Sequence, residues 1–282
     1  MPASLEAIAA PLVRAALLED FGRGGDITTE AIVDAESRAH ATIVARQDGV
    51  IAGLAVATLA FVYVDETALF EACVADGERV TPGQAVATID ANARALLTGE
   101  RTALNFLGLL SGVATATRVF VDAVAGTRAR IVDTRKTTPG LRALQRYAVR
   151  CGGGWNHRFG LDDGLLIKDN HLAVAASIHD AVAAARARAG HMVKVEVEVD
   201  SIAQLQEALE EPIDAVLLDN MSPALLREAV ALVNGRVLTE ASGGVTIENV
   251  ADIAQTGVDL ISIGRITHSA AALDLSLEID QR

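Results

Sequence analysis

The sequence predicts an α/β fold: a parallel strand–helix array preceded by a smaller β-rich region. Three observations lead there. Short apolar runs recur from residue 130 onward, and each ends in a polar residue or glycine. Stretches rich in Ala, Leu and Glu separate most of those runs, as right-handed crossovers require. Ahead of them, residues 38–90 alternate short Val/Ile/Ala runs with turn dipeptides. The 282 residues fit one large domain, or a barrel of roughly 170–200 residues with a smaller partner domain.

The elements follow in order. Residues 4–20 read as an amphipathic helix with Leu5, Ile8, Leu12, Ala16 and Leu17 on its apolar face, ended by Gly22, Gly24 and Gly25. Turn signals at Asp48-Gly49, Asp76-Gly77 and Pro82-Gly83 punctuate the β-rich region. Residues 94–124 read as a helix with Leu96, Leu97, Leu104, Leu107 and Leu110 on one face. Then come strands leading into Asp133, Lys168, Asp200, Asp219, Ser242 and Gly264, with a seventh expected near Val149-Arg150-Cys151. A closed barrel or an open doubly wound sheet would both place a site at the carboxyl ends of these strands.

Composition narrows the function. The net charge of −13 disfavours nucleic acid and anionic membrane surfaces as partners. The first 20 residues carry Glu6, Glu19 and Asp20 and do not look like a signal peptide. The uncharged run Gly49 to Val64 has 16 residues and reads as a buried segment, since a membrane span needs about 20. Cys73 and Cys151 show neither zinc spacing nor a disulfide pattern, so a reducing, cytoplasmic setting is expected.

Against this acidic background, residues 128–171 hold nine Lys or Arg and four acids, a charge of +5, while the rest of the chain carries −18. Arg142, Arg146 and Arg150, four residues apart, read as a solvated helix face. Arg135, Lys136, Arg158 and Lys168 sit at strand ends or beside Gly152-Gly153-Gly154 and read as an anion site. The chain has 21 arginines and only three lysines, Lys136, Lys168 and Lys194, all at expected strands. A compact ammonium suits point contact with phosphate or carboxylate.

The strand Val193 to Asp200 alternates Val with Lys194, Glu196, Glu198 and Asp200, which aims a charged face inward. An internal Lys194–Glu196 pair is the bland explanation. Glu198 and Asp219, at neighbouring strand ends, are candidates for Mg²⁺ or ribose. Ser242-Gly243-Gly244 and Gly264-Arg265 offer backbone N–H groups to phosphate, with His268 close behind. The ligand read from these residues is polyanionic, accompanied by a divalent metal.

Three long motifs carry a resemblance: Asp133-Thr-Arg-Lys-Thr-Thr-Pro-Gly-Leu-Arg142, Cys151-Gly-Gly-Gly-Trp-Asn-His-Arg158 and Leu166-Ile-Lys-Asp-Asn-His171. With Gly25-Asp-Ile-Thr-Thr29, Glu100 to Leu107, Val195 to Val199 and Thr256 to Asp259, the chain resembles the quinolinate phosphoribosyltransferase family over nearly its whole length. Trp155 departs from the family pattern, where a smaller residue is expected. The resemblance implies an incomplete seven-stranded α/β barrel over 110–269 and an N-terminal α/β sandwich over 1–109, joined by the tail 270–282. It implies transfer of a phosphoribosyl group from 5-phosphoribosyl 1-pyrophosphate to quinolinate with decarboxylation, Mg²⁺ as cofactor, and a homodimer or an assembly of dimers. Arg135, His157, Arg158 and Lys168 would hold the quinolinate carboxylates, with Arg101 reaching in from the partner subunit. Lys136, Glu198, Asp219, Ser242, Gly243, Gly264 and His268 would serve the phosphoribosyl-pyrophosphate side, with Lys136, Glu198 and Asp219 carrying the catalysis.

Two other readings compete. Lys168 at a strand end could be the Schiff-base lysine of a barrel aldolase. A related phosphoribosyltransferase could act on another pyridine acid. The turns at Asp76-Gly77 and Pro82-Gly83 resemble those of biotinyl or lipoyl carriers, but no lysine precedes Lys136, so nothing there can be acylated.

Overall fold

The computed structural model describes residues 3–280. In chain order its elements are α1 (Ala3–Phe21), α2 (Ile27–Ile32), β1 (Arg38–Ala45), β2 (Gly49–Val50), α3 (Leu54–Val62), β3 (Leu69–Ala72), β4 (Arg79–Val80), β5 (Ala85–Asn92) and α4 (Ala93–Ala123). Next come β6 (Arg130–Val132), α5 (Arg142–Cys151), β7 (Leu165–Ile167), α6 (Asp169–Leu172), α7 (Ile178–Arg188), β8 (Val195–Val199) and α8 (Ile202–Ala208). The chain closes with β9 (Ala215–Asp219), α9 (Pro223–Val233), β10 (Leu238–Ser242), α10 (Val250–Ala254), β11 (Leu260–Ser262), α11 (Arg265–His268) and β12 (Leu275–Ile279). It divides into two compact units, one of residues 1–118, 138–153 and 266–282, the other of 119–137 and 154–265.

The first unit is built on an antiparallel sheet in the order β12-β1-β5-β3, with the small β2-β4 pair beside it. The tail supplies β12, which pairs with β1 from Ala41↔Ile279 to Ala45↔Leu275. On its way the tail crosses α4 closely. Leu273 N–H donates to Gly108 O at 2.9 Å, and a Cβ on Gly112 would collide with Ala271 O. Glycine is needed there for backbone approach rather than for an unusual dihedral.

Segment 49–64 is buried as expected, forming β2 and α3, with Ile51, Ala52, Val56, Ala57, Ala60 and Phe61 fully covered. Asp76, in one of the predicted turns, caps α3: Oδ1 accepts from Gly53 N–H at 2.9 Å and Leu54 N–H at 3.2 Å. Helix α4 is the one described helix long and apolar enough to cross a membrane. It is a core helix instead, with Leu96, Leu107 and Leu110 at 0% exposure.

Three expectations need correction. Helix α1 buries Ala9, Val13 and Leu17, one i, i+4 row, whereas Ile8 is largely exposed. Of the expected face only Leu17 lies in that row; apolar residues run nearly all round the helix, so periodicity alone does not single the row out. Leu97 likewise falls outside the buried face of α4. Residues Val149 to Cys151 end helix α5 and form no seventh strand. Helix α5 clusters with the first unit because Tyr147 OH donates to Asp76 Oδ2 at 2.6 Å and Gln145 Nε2 to Thr267 O at 2.9 Å.

The second unit is a six-stranded parallel sheet in the order β6-β11-β10-β9-β8-β7, its strands joined mostly by the helices α7 to α10. Beyond β6, a single parallel bridge joins Val132 to Trp155. The indole of Trp155 lies against the Arg130 guanidinium, 3.8 Å from ring centre to Cζ.

Lys194 stands outside β8 and pairs with Asp214, not with Glu196. Its Nζ donates to Oδ1 at 2.7 Å, while Oδ2 accepts from Arg186 Nη2 at 2.7 Å and Val195 N–H at 2.9 Å. Burial opposes the charged form of Asp214, yet the bonds from Lys194, Val195 and Arg186 outweigh it and hold the carboxyl down at about 2. A depressed carboxyl stabilises the fold fully above its unfolded value of about 3.9, and loses that contribution as pH falls through the folded value. Asp214→Asn is therefore expected to cost about 1 kcal/mol at neutral pH. In denaturant titrations the gap from the unmodified chain should narrow as pH falls from about 4 toward 2.

Candidate active site

The residues of the predicted anion site converge at the carboxyl end of the parallel sheet. A cavity of about 200 Å³ is lined by Arg135, Lys136, His157, Arg158, Lys168 and Ser242, among others. Strand register explains the assembly. Ser242 pairs with Asp219 across β10 and β9, and Ser262 with Val132 across β11 and β6. Ile167 pairs with Val197, so the next residues, Lys168 and Glu198, come level at the ends of β7 and β8. Lys168 Nζ donates to Glu198 Oε2 at 2.5 Å. Lys168 also caps the start of α6, its N–H donating to His171 Nδ1 at 2.9 Å.

Arg135 and Lys136 extend from the loop after β6 and are exposed. Thr134 Oγ1 accepts Lys136 N–H at 3.0 Å and shapes that loop. Arg158 follows the glycine run and sends Nη1 to Gly164 O at 2.8 Å. Burial, and then the charge of Arg135, pull the Arg158 guanidinium below its usual range. Glu196 and Asp163 offset part of this.

On the other side, Gly243 follows Ser242 with φ +88°. A Cβ there would run into the Asn220 side chain, so the loop after β10 can take only glycine at this point. Asn220, itself at φ +52°, donates Nδ2 to Asp219 Oδ2 at 2.7 Å and its N–H to Ser242 O at 2.9 Å. Asp219 and the Ser242 loop thus form one hydrogen-bonded edge. Gly264 directly follows β11 and Ile263.

Two predicted residues belong to the first unit. Arg101 projects from α4, 65% exposed, 3.9 Å from Glu100. It lines a separate cavity of about 390 Å³ with Glu19, Asp20, Asn105 and Phe106. His268 ends α11 and is exposed, its Nδ1 2.5 Å from Ser269 Oγ.

Three acids beneath the cavity, Asp133, Glu196 and Glu240, stand outside the predicted site, Glu196 having been expected only to pair with Lys194. Asp133, fully buried, accepts His157 N–H through Oδ1 at 2.8 Å and Asn156 Nδ2 through Oδ2 at 2.6 Å. His157 Nε2 lies 3.1 Å from Glu196 Oε2 and 3.4 Å from Glu240 Oε2. Burial, then the Glu196 charge, push Glu240 up to about 8, and His157 and nearby Ser262 offset only part of that. Burial works against a charged His157, but Glu196 and Glu240 more than offset it and raise the imidazole above its ordinary value. The period-2 pattern of β10, which puts Glu240 on the face of Ser242, is the signal that could have found it. A further cavity, about 570 Å³, opens where the strands begin, lined by Arg128, Arg130, Trp155 and Asp259 and sharing His157, Arg158 and Glu240 with the cationic one.

The family model for the quinolinate phosphoribosyl transferase C-terminal domain matches residues 113–278, and that for the N-terminal domain matches 26–111. The chain is 48% identical over 272 residues to the nicotinate-nucleotide pyrophosphorylase (carboxylating) of Mycobacterium leprae, covering 95% of each. It is 45% identical over 262 residues to a probable enzyme of the same name from Bacillus subtilis, covering 93% of this chain and 90% of the other. The solved nicotinate-nucleotide pyrophosphorylase of Francisella tularensis superposes with a TM-score of 0.94 at 38% identity, over 99% of this chain and 98% of that one. The chain belongs to the quinolinate phosphoribosyltransferase family.

Proposed function

We propose that this chain transfers the phosphoribosyl group of 5-phosphoribosyl 1-pyrophosphate to quinolinate, releasing pyrophosphate and CO₂ and forming nicotinate mononucleotide for NAD biosynthesis. The observation that carries this reading is the cavity walled by Arg135, Lys136, Arg158 and Lys168 in a chain of net charge −13. Two polyanions repel each other, and such a wall lets them approach.

Arg135, His157, Arg158 and Lys168 are assigned to the acid, with Arg101 arriving from the second subunit of a homodimer or larger assembly. Lys136, Glu198, Asp219, Ser242, Gly243, Gly264 and His268 are assigned to the phosphoribosyl pyrophosphate. The bridge of Trp155 to Val132 beside β6 supports reading the sheet as an incomplete seven-stranded barrel, alongside an N-terminal α/β sandwich. The free thiols of Cys73 and Cys151 support a cytoplasmic setting.

The reaction follows from these positions. The C1–O bond to pyrophosphate loosens toward an oxocarbenium-like state, and Lys136 stabilises the charge gathering on the leaving group. The quinolinate ring nitrogen attacks C1. Once that nitrogen is quaternary, the bond from C2 to its carboxylate breaks, CO₂ leaves, and the electron pair stays on C2 until solvent supplies a proton. A hard cation suits the donor set here, carboxylate oxygens beside a phosphate-binding loop. Mg²⁺ would be held by Asp219 and Glu198. Asp219 is the freer ligand, because Lys168 already holds Glu198 Oε2. When bound, Mg²⁺ would add positive charge beside the pyrophosphate.

Purified protein given quinolinate and 5-phosphoribosyl 1-pyrophosphate should release CO₂ and pyrophosphate in equal amounts. Nicotinate turned over as fast, without CO₂, would overturn the substrate assignment. Lys136→Ala should lower kcat/KM by roughly 100-fold or more, as removal of a charge-stabilising group does. Its circular dichroism and Tm should stay unchanged.

A further inference from the structure

The reaction just described ends with an electron pair on C2 that needs a proton. A wall of cations is a poor source of one. A guanidinium does not give up its proton, and an ammonium does so reluctantly at neutral pH. Among the ionisable residues lining the cationic cavity, that leaves His157 and Glu240 as groups able to donate.

Glu240 stands between two cavities. It lines the cationic one at the carboxyl end of the sheet and the further one at the amino end. The rim of the latter includes Arg130, Ala215, Leu238 and Leu260, the first residues of β6, β9, β10 and β11. Leu238, Glu240 and Ser242 share one face of β10. Leu238 is 51% exposed at the amino end, Glu240 is 1% exposed, and Ser242 is half-buried in the lining of the cationic cavity. One strand face thus runs from solvent, past a buried carboxyl, to the cationic wall.

The surroundings of that carboxyl favour its neutral form. Both Glu240 oxygens are buried without a hydrogen-bond partner. A carboxylate so placed loses its hydration and gains no donor in exchange. Burial raises the group most, and the charge of Glu196 on β8 adds to it. His157, Ser262 and Lys168 work the other way and offset only part. A neutral carboxyl does not repel a dicarboxylate brought into the same cavity, and it carries a hydrogen to give.

We propose that Glu240 is the proton donor of the decarboxylation, and that the amino-end cavity is the inlet through which solvent recharges it. The bond from C2 to its carboxylate breaks, CO₂ leaves, and the electron pair stays on C2. The O–H bond of Glu240 then breaks and its proton goes to C2. The carboxylate left behind takes a proton from water in the amino-end cavity, so the proton that solvent supplies arrives through the protein. Until C2 is protonated, CO₂ can return to it, and the transfer makes its loss final. His157 keeps its contact with the acid, because the transfer makes no demand on the imidazole. The proposal rests on quinolinate occupying the cationic cavity, and the test separates the two ideas.

Rapid-quench experiments on the full-length enzyme, with labelled quinolinate and 5-phosphoribosyl 1-pyrophosphate, follow the two products separately. In the unmodified enzyme pyrophosphate and CO₂ should rise together. Glu240→Gln keeps the shape and neutrality of the acid but has no acidic proton. It should release one equivalent of pyrophosphate in a burst and accumulate the nucleotide that still carries both carboxylates. Its CO₂ release should slow by roughly 100-fold, as loss of a general acid does. Its Kd for the unreactive dicarboxylate phthalate should stay within about twofold, since no binding group is removed. Glu240→Asp should recover part of the CO₂ rate. Leu238→Trp narrows the amino-end cavity from outside the cationic lining, and CO₂ should trail pyrophosphate there too. That variant serves as well if Glu240→Gln does not fold. Pyrophosphate and CO₂ still rising together in Glu240→Gln would overturn the proposal. So would an equal slowing of both products with weakened phthalate binding, which marks a structural role. CO₂ keeping pace with pyrophosphate in Leu238→Trp would remove the inlet. Pyrophosphate without any CO₂ from the unmodified enzyme would instead sink the proposed reaction itself.

Discussion

Repulsion among like charges is the constraint around which this site is built. Arg135, Lys136, Arg158 and Lys168 surround a cavity of only about 200 Å³. Before any ligand arrives, each raises the cost of the others, as the effect of Arg135 on the Arg158 guanidinium shows. Water screens such repulsion poorly at a partly buried site. The fold answers with acids placed beside and behind the cations. Glu198 holds Lys168, and Glu196 and Glu240 lie beneath His157 and Arg158. Glu240 reaches the cavity lining itself, so the wall is mainly rather than wholly positive.

Parallel register makes this layering possible. Side chains two residues apart on one strand share a face, so Glu196 and Glu198 both point inward from β8, one deeper than the other. The deeper residue serves the protein interior, and the one at the strand end serves the cavity. Strand β10 repeats the arrangement with Glu240 below Ser242. One periodicity therefore supplies both the cavity-facing groups and those set deeper in the sheet.

The first unit solves a different problem, that of joining distant segments. Its antiparallel sheet takes β12 from the tail, and Gly108 and Gly112 let that tail pass against α4. Asp76 joins the start of α3 to Tyr147 of α5. These are short polar links within an Ala- and Leu-rich core that has few aromatics to fill it. Close backbone approach takes the place of large side chains.

By itself the sequence determined the strand–helix alternation, the strand-end position of the cationic cavity and the cationic island between residues 128 and 171. Each is a local property, carried by period-2 and 3.6-residue patterning and by charge counted against background. Arg142, Arg146 and Arg150 do lie on one helix, α5, but only Arg150 is exposed, so the expected solvated face holds for one of the three. Tertiary structure alone decided which acids meet which cations. Lys194 looked set to pair with Glu196 two residues away, but neighbours at that spacing in or beside a strand need not touch, and Asp214 reached Lys194 instead. Glu240, more than 80 residues beyond His157, comes within 3.4 Å of it only because the parallel sheet brings β10 beneath the glycine-rich segment. The buried face of α1 was also undecided in the sequence, since apolar residues nearly all round a helix leave the choice of row to whatever packs against it.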